Sequence, residues 1–372
     1  MAKTDKEEEI LKSLALFDSK TEKKEELSSQ DEEILQFIEA SRPKIYVIGA
    51  GGSGCNTLNR MTEIGVTGAT FIAMNTDAQH LLKIRADKKI LLGKKLTKGL
   101  GAGSDPRIGE EAAKESESEI RKVIEDGSIV FITCGLGGGT GTGAAPLIGQ
   151  IAKGMGILTV AVVTLPFVSE GRTRMKNALA GLSKLKGNVD TVIVIPNDKL
   201  LTIVPDLPLN TAFKVADEVL SSAVKGIVEL VTKAGLVNLD FADLRTVLKD
   251  AGCAVVGMGE ALPDVKTSER ALVAIEMALN SPLLDMDISC ASRALVNVIG
   301  GPDMTIKEAE LMVKEVSARI QKDSHIIWGA RIEENMERSR LKVLVVIAGA
   351  KMPQYGLELF EENEELDLDI LA

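Results

Sequence analysis

The sequence predicts an α/β protein with two unlike halves: an open parallel-sheet domain and a smaller α+β domain with a mixed sheet, joined by a long central helix. Three observations predict it. Short β-type runs at 44–48, 70–74, 128–133, 158–165 and 191–195 alternate with helix-forming segments, the succession of an open sheet with helices on both faces. The stretch 211–233 has no proline and carries apolar residues at helical spacing over more than half its circumference. After Gly252 the texture changes to strand patterns at 253–259, 294–299, 326–332 and 341–348 with helical patterns at 268–280 and 305–319.

Composition sets the outer limits. The 372 residues, 45% hydrophobic, suffice for one large or two ordinary cores. A net charge of -10 with no basic stripe argues against nucleic acid or an anionic membrane as a general partner. Cys55, Cys134, Cys253 and Cys290 form no C-x-x-C pair, so neither a disulfide framework nor a zinc site is expected, and a reducing cytoplasm fits. No run approaches the ~18 apolar residues of a membrane span, and the Lys- and Glu-rich amino terminus is not a signal peptide.

Residues 1–43 read as a charged peripheral extension, with a weak amphipathic pattern, DEEILQFIEA, at 31–40. The globular part then opens with the strand 44–48 and turns at once into GAGGSGCN at 49–56 before a helix over 57–64. Strand, glycine turn and helix together aim free backbone N–H groups and a positive helix end at a phosphate. Gly49, Gly51 and Gly54 satisfy G-x-G-x-x-G, and Asp77 follows the next strand, so this part alone reads as a Rossmann-like dinucleotide fold.

The second glycine cluster is denser. The strand 128–133 runs into CGLGGGTGTG at 134–143 and a helix over 144–153. Such a run sacrifices backbone entropy and offers no packing side chains, so it is expected where a ligand approaches the main chain closely. Phosphates fit, with Thr140 and Thr142 adding hydroxyl donors. There is no G-x-x-x-x-G-K-[ST], so backbone amides rather than a P-loop lysine would hold the anion.

The GGGTGTG run at 137–143 resembles the signature loop of the tubulin/FtsZ family of cell-division GTPases, and further motifs follow in that family's order: GAGGSGCN at 49–56, NTDAQ at 75–79, GLGAG at 99–103, PFVSEG at 166–171, IPND at 195–198, Ala212 and Phe213 with Asp217, and NLDFAD at 238–243. The resemblance covers about 44–350 and implies GTP and GDP as ligands with Mg2+ bridging the phosphates. It implies a nucleotide site built from Gly52, Ser53, Gly54, Cys55, Asn56, Ala102, Gly139, Thr140 and Gly141, with Glu170 and Arg174 near the ribose and phosphates. Asn56, Asn197 and Asp217 would address the guanine edge and Phe213 would stack on the base. On spacing alone, Glu170 and Arg174 are a solvated i, i+4 ion pair worth ~0.3–0.5 kcal/mol, and Phe213 belongs to a core face.

The central helix would be roughly 35 Å long at ~1.5 Å per residue. With Phe213 and Asp217 near its start, Asp240 stands about 20 residues on, roughly 30 Å along the axis, and cannot reach its own molecule's γ-phosphate. On the residues alone, Asp240 and Asp243 are the N-cap and N3 of a helix over 241–248. The resemblance implies that Asp240 and Asp243, with Asn238, also enter the pocket of the next subunit and polarise the attacking water. A joint of that kind is heterologous and propagates into a filament, with the loop 99–103 sensing the γ-phosphate.

The expected organisation is an extension 1–43, a GTP-binding domain 44–210, the helix 211–233, the acidic loop and helix 234–251, a second domain 252–350 and an acidic tail 351–372. His325 reads as a loop residue. The alternating tail LDLDILA at 366–372 suggests a docking strand for a membrane adaptor. It departs from the bacterial pattern toward an archaeal type, and the resemblance places the chain in the cytoplasm at a mid-cell division ring. Two alternatives stay open at this level: a nicotinamide-dependent oxidoreductase, and a GTP-binding scaffold with little turnover.

Overall fold

The computed structural model describes residues 42–203, 209–233, 235–237, 239–281, 284 and 287–350. The expected extension helix at 31–40, the acidic tail and Asn238 lie outside the described residues.

The strands β1 (Ile45–Ala50), β4 (Ile129–Gly135) and β5 (Leu158–Leu165) are apolar along nearly their whole length and buried throughout, as strands covered on both faces must be. With β2 (Thr70–Asn75), the short β3 (Lys88–Leu91) and β6 (Thr191–Pro196) they pair in parallel in the order β3-β2-β1-β4-β5-β6. The crossover helices are α1 (Gly51–Glu63), α2 (Ala78–Lys83), α3 (Pro106–Glu115), α4 (Glu117–Ile124), α5 (Thr140–Gly154), α6 (Arg172–Asn188) and α7 (Asn197–Ile203). Two helices begin earlier than their sequence patterns. α1 starts at Gly51 rather than at 57, and α5 at Thr140 rather than at 144, so both glycine turns are largely first turns of helices.

The central helix α8 (Leu209–Thr232) has 24 residues, about 36 Å at ~1.5 Å each. Leu220, Ala223, Val224, Ile227 and Val228 are wholly buried, in one cluster with residues of β1, β4, β6 and the later strands. Burial of each larger aliphatic chain contributes about 1.5–3 kcal/mol. α8 runs alongside α1 in the same direction, and a series of contacts fixes that register. Thr57 Oγ1 donates to Asp217 at 3.1 Å, Ser221 Oγ donates to the Thr57 carbonyl at 3.4 Å, and Lys225 Nζ donates to the Ile64 carbonyl at 2.9 Å. Gly68, just before β2, lies so close to Thr232 that a Cβ there would stand 2.7 Å from its side chain. α8 therefore passes from the carboxyl edge of the parallel strands to their amino edge.

Helix α9 (Phe241–Leu248) follows, and β7 (Gly252–Ala261) then joins the sheet directly. It pairs in parallel with β6 over three residues only: Thr191 with Gly252, Val192 with Cys253 and Ile193 with Ala254. Beyond it the order continues β7-β10-β8-β9, with β8 (Arg293–Gly300), β9 (His325–Ile332) and β10 (Leu341–Ala348). β10 is antiparallel to both neighbours and β8–β9 is parallel, so this half is mixed as expected, yet it belongs to one continuous ten-stranded sheet. His325 is the first residue of β9 and exposed, not a loop residue.

Helices α10 (Arg270–Leu279) and α11 (Ile306–Arg319) cover one face of the mixed half. Gly257 and Gly259 let α10 sit directly on β7: Cβ atoms there would fall 2.3 and 2.0 Å from the carbonyl oxygens of Ala278 and Ala274. Arg270, wholly buried, pairs with Asp303 at 2.6 Å and Glu308 at 2.5 Å, tying α10 to the start of α11.

Candidate functional site

At the carboxyl edge of the parallel strands, the amino ends of α1 and α5 meet. A Cβ on Gly51, which adopts φ +74°, would fall 2.8 Å from Gly141 N, and one on Gly141 would fall 3.0 Å from the Ala50 carbonyl. Only glycine permits that approach. Neither helix has a capping side chain or an acidic residue in its first turn, whereas α2, α3, α9 and α11 are capped by Asp77, Asp105, Asp240 and Thr305. The first-turn N–H groups of α1 and α5 are thus left for an anion, and the two helix dipoles add.

Between them opens a cavity of about 380 Å3, lined among others by Gly52, Ser53, Asn56, Gly139, Thr140, Gly141, Glu170, Arg174, Asn197, Phe213 and Asp217. The structure brings these eleven expected residues together from five separate stretches of chain. Gly51 of the G-x-G-x-x-G turn also lines it, as do Ala50, Leu136, Gly138 and Pro166 from the quoted motifs, while Thr164 and Ala216 were not expected there. Thr76 was missed too: its hydroxyl lies 2.6 Å from that of Thr140 and fastens the second glycine turn to the end of β2.

Three expected residues lie behind the wall. Gly54 packs against β4, where a Cβ would fall 2.2 Å from the Thr133 carbonyl. Cys55 is buried, its thiol donating to the Gly49 carbonyl at 3.5 Å, and burial pushes it up to about 12, so it stays protonated. Ala102 is buried beneath Gly139, whose Cβ would meet Ala102 Cβ at 2.9 Å. Thr142 was expected as a hydroxyl donor, but its oxygen accepts from Gly137 N at 2.8 Å, and its side chain faces the interior of the loop.

The polar residues divide into a charged side and an amide side. Arg174 Nε donates to Glu170 Oε2 at 2.9 Å, and Glu170 Oε1 accepts from Phe167 N at 2.8 Å, so the pair is anchored to the turn after β5 and lines the cavity. Asn197 lines the cavity and is buried, and its Oδ1 has no partner within the protein. Phe213 is 39% exposed and meets Phe167 edge-to-face, centroids 5.3 Å apart at 81°, so it presents a face to the cavity rather than joining the core. Burial pushes the Asp217 carboxyl up to about 6, although the Thr57 hydrogen bond and the Arg60 charge pull it down.

Asp240 is exposed and Asp243 half-buried, and neither lines the cavity. They form a reciprocal cap: Asp243 N donates to Asp240 Oδ1 at 2.8 Å and Asp240 N to Asp243 Oδ2 at 3.2 Å.

Comparison with known proteins adds to this geometry. A family model described as the GTPase domain of the tubulin/FtsZ family matches residues 44–205, and one described as the C-terminal domain of the FtsZ family matches 252–351. "Cell division protein FtsZ 1" of Thermococcus kodakarensis is 56% identical over 91% of this chain and 88% of its own length. The protein of the same name from Methanocaldococcus jannaschii is 56% identical over 88% of each. A solved structure titled "FtsZ dimer, empty (M. jannaschii)" superposes with a TM-score of 0.81 at 56% identity, covering 87% of this chain and 93% of that one.

Proposed function

Because this chain belongs to the tubulin/FtsZ family, we propose how its parts divide the work of a cell-division GTPase. It is a GTPase, converting GTP and water to GDP and phosphate, and it self-associates into filaments. The guanine nucleotide lies in the cavity with its phosphates against the amino ends of α1 and α5. Arg174 and Glu170 flank the ribose and phosphates, Phe213 stacks on the base, and Asp217 accepts from the ring N–H and exocyclic amine of guanine, a donor pair that adenine lacks.

Mg2+ accompanies the triphosphate. It keeps several waters and takes phosphate oxygens readily, and this cavity offers it few protein donors, since Glu170 is engaged with Arg174 and Thr140 with Thr76. When bound it neutralises charge on the β- and γ-phosphates.

Asp240 and Asp243, with Asn238, act on nucleotide held by the neighbouring molecule. Support comes from the exposure of Asp240, the absence of Asp240 and Asp243 from their own cavity, and the passage of α8 from one edge of the sheet to the other. They polarise the water that attacks the γ-phosphorus; the bond to the β–γ bridging oxygen breaks and GDP leaves as the anion. Subunits therefore stack head to tail, and the loop 99–103, whose Ala102 abuts Gly139, senses whether the γ-phosphate is present. The tail 351–372 docks a membrane adaptor at a cytoplasmic division ring.

The observation that carries this reading is the meeting of two uncapped helix amino ends at one cavity. The test is GTP turnover per molecule as protein concentration is raised. A steep rise above a threshold is expected; a flat line would mean each molecule is complete alone and would remove the shared site.

A further inference from the structure

The cavity residue Asn56 is held by a side-chain relay that starts in the core. Asn75 is 3% exposed, and its Oδ1 accepts from Thr76 N at 2.8 Å and Asp77 N at 3.3 Å, so its Nδ2 is the end that faces His80. That Nδ2 lies 3.2 Å from His80 Nδ1. An amide nitrogen only donates, so Nδ1 must be the unprotonated, accepting nitrogen of the ring, and the imidazole proton sits on Nε2. His80 Nε2 lies 3.1 Å from Asn56 Oδ1 and donates to it. The His80 backbone is itself fixed, because His80 N donates to Asp77 Oδ1 at 2.9 Å as part of the α2 cap. Each link leaves the next one a single sense, and the last link commits the Asn56 oxygen.

We propose that His80 is a positioning residue for the nucleotide site: it holds the Asn56 amide with its oxygen turned outward and its Nδ2 turned to the cavity, so that Asn56 acts as a donor to an acceptor atom of the guanine nucleotide. The proposal rests on the cavity being the guanine nucleotide site. The Asp217 carboxyl presents an acceptor there, and a donor at Asn56 complements it against a base that carries both kinds of group. Without His80 the amide can turn over, and two acceptors on the same wall would meet the acceptor atom of the ligand.

Three proteins test it: the native chain, His80→Ala and His80→Gln. Glutamine carries one acceptor and one donor, so it can take the proton of Asn75 Nδ2 and give one to Asn56 Oδ1. His80→Ala should raise the Kd and KM for GTP by about threefold to tenfold, the scale of one misdirected hydrogen bond, with kcat at saturating GTP changed less than twofold. His80→Gln should restore native affinity. Nitrogen NMR of the native, nucleotide-free protein should show the Nε2–H tautomer of His80, whatever the variants do. Unchanged affinity in His80→Ala, failure of His80→Gln to rescue, or an Nδ1–H tautomer would each overturn the proposal. A native protein that shows the Nε2–H tautomer but fails to bind GTP would instead overturn the assignment of the cavity.

Discussion

Gly51 and Gly141 touch backbone to backbone, 2.8 Å separating Gly141 N from the point where a Gly51 Cβ would be, and this contact sets the spacing of the two helix ends that face the cavity. Gly51→Ala is therefore expected to abolish measurable GTP binding. The alanine must adopt φ +74°, costing roughly 1–2 kcal/mol, and its methyl drives α1 and α5 apart. Equilibrium binding of a fluorescent GTP analogue checks this, with circular dichroism to show that the chain still folds; retained affinity would mean that the amides of these two turns do not hold the phosphates.

The capping role of Asp240 and its proposed catalytic role are separable, since asparagine caps a helix as well as aspartate but carries no charge. Asp240→Asn should keep α9 and GTP binding intact and lose most turnover. Asp240→Ala should lose turnover and also about 0.5–2 kcal/mol of stability. A mixture of Asp240→Asn with a variant unable to bind nucleotide should recover part of the lost turnover, because some joints would then pair a good cavity with good acids. A mixture as inactive as its components would place the acids outside the reaction.

The Asp217 carboxyl, pushed up to about 6 by burial, loses its charge as pH falls through that value, and with it one of the two charged acceptors that the proposed pairing with guanine uses. GTP affinity should drop between pH 7 and 5, and Asp217→Asn should bind weakly with a flat profile. The sign for stability is opposite. A carboxyl with a raised folded value contributes stability that is fully present below its unfolded value of 3.8 and lost as pH rises through about 6. At neutral pH, Asp217→Asn should therefore stabilise the nucleotide-free protein by on the order of 2 kcal/mol, read by urea unfolding. An unstabilised Asp217→Asn would mean that the carboxylate is not strained at rest.

Arg270 stands wholly buried between Asp303 and Glu308. Burial alone would raise the Glu308 carboxyl, and the hydrogen bonds from Arg270 outweigh it, holding the group below the usual range. Its contribution to stability is thus present above the unfolded value and lost as pH falls through the lower folded one. Arg270→Ala leaves two acids facing a void and should cost about 3–5 kcal/mol. Denaturant unfolding checks the size, and a loss under 1 kcal/mol would show that solvent reaches the cluster.

Much of the site is legible from sequence because glycine-dense turns offer no packing side chains and so point to a close approach to the main chain, although at Gly51, Gly54 and Gly141 what approaches is neighbouring backbone. Their helical character is not, since glycine is a poor helix former and local propensity argues against α1 starting at Gly51 or α5 at Thr140. Phe213 and the Glu170–Arg174 pair illustrate the same limit: their spacing suits a core position and a surface ion pair, and only the fold turns them to one cavity. The relay through Asn75, His80 and Asn56 leaves no local pattern at all, being assembled from the end of β2, α2 and α1. The β6–β7 pairing escapes sequence reading for a related reason, as about sixty residues separate strands that share three rungs.

Those three rungs are the narrowest seam in an otherwise wide plate of strands. On either side the ladders run longer, eight rungs between β7 and β10 and six between β5 and β6, so bending or tensile load across the subunit concentrates where Thr191, Val192 and Ile193 meet their partners. Leu220, Val224 and Val228 of α8 belong to the same buried cluster as Ile193 of β6 and Ala254 of β7, so the seam is held by apolar packing as well as by its few hydrogen bonds.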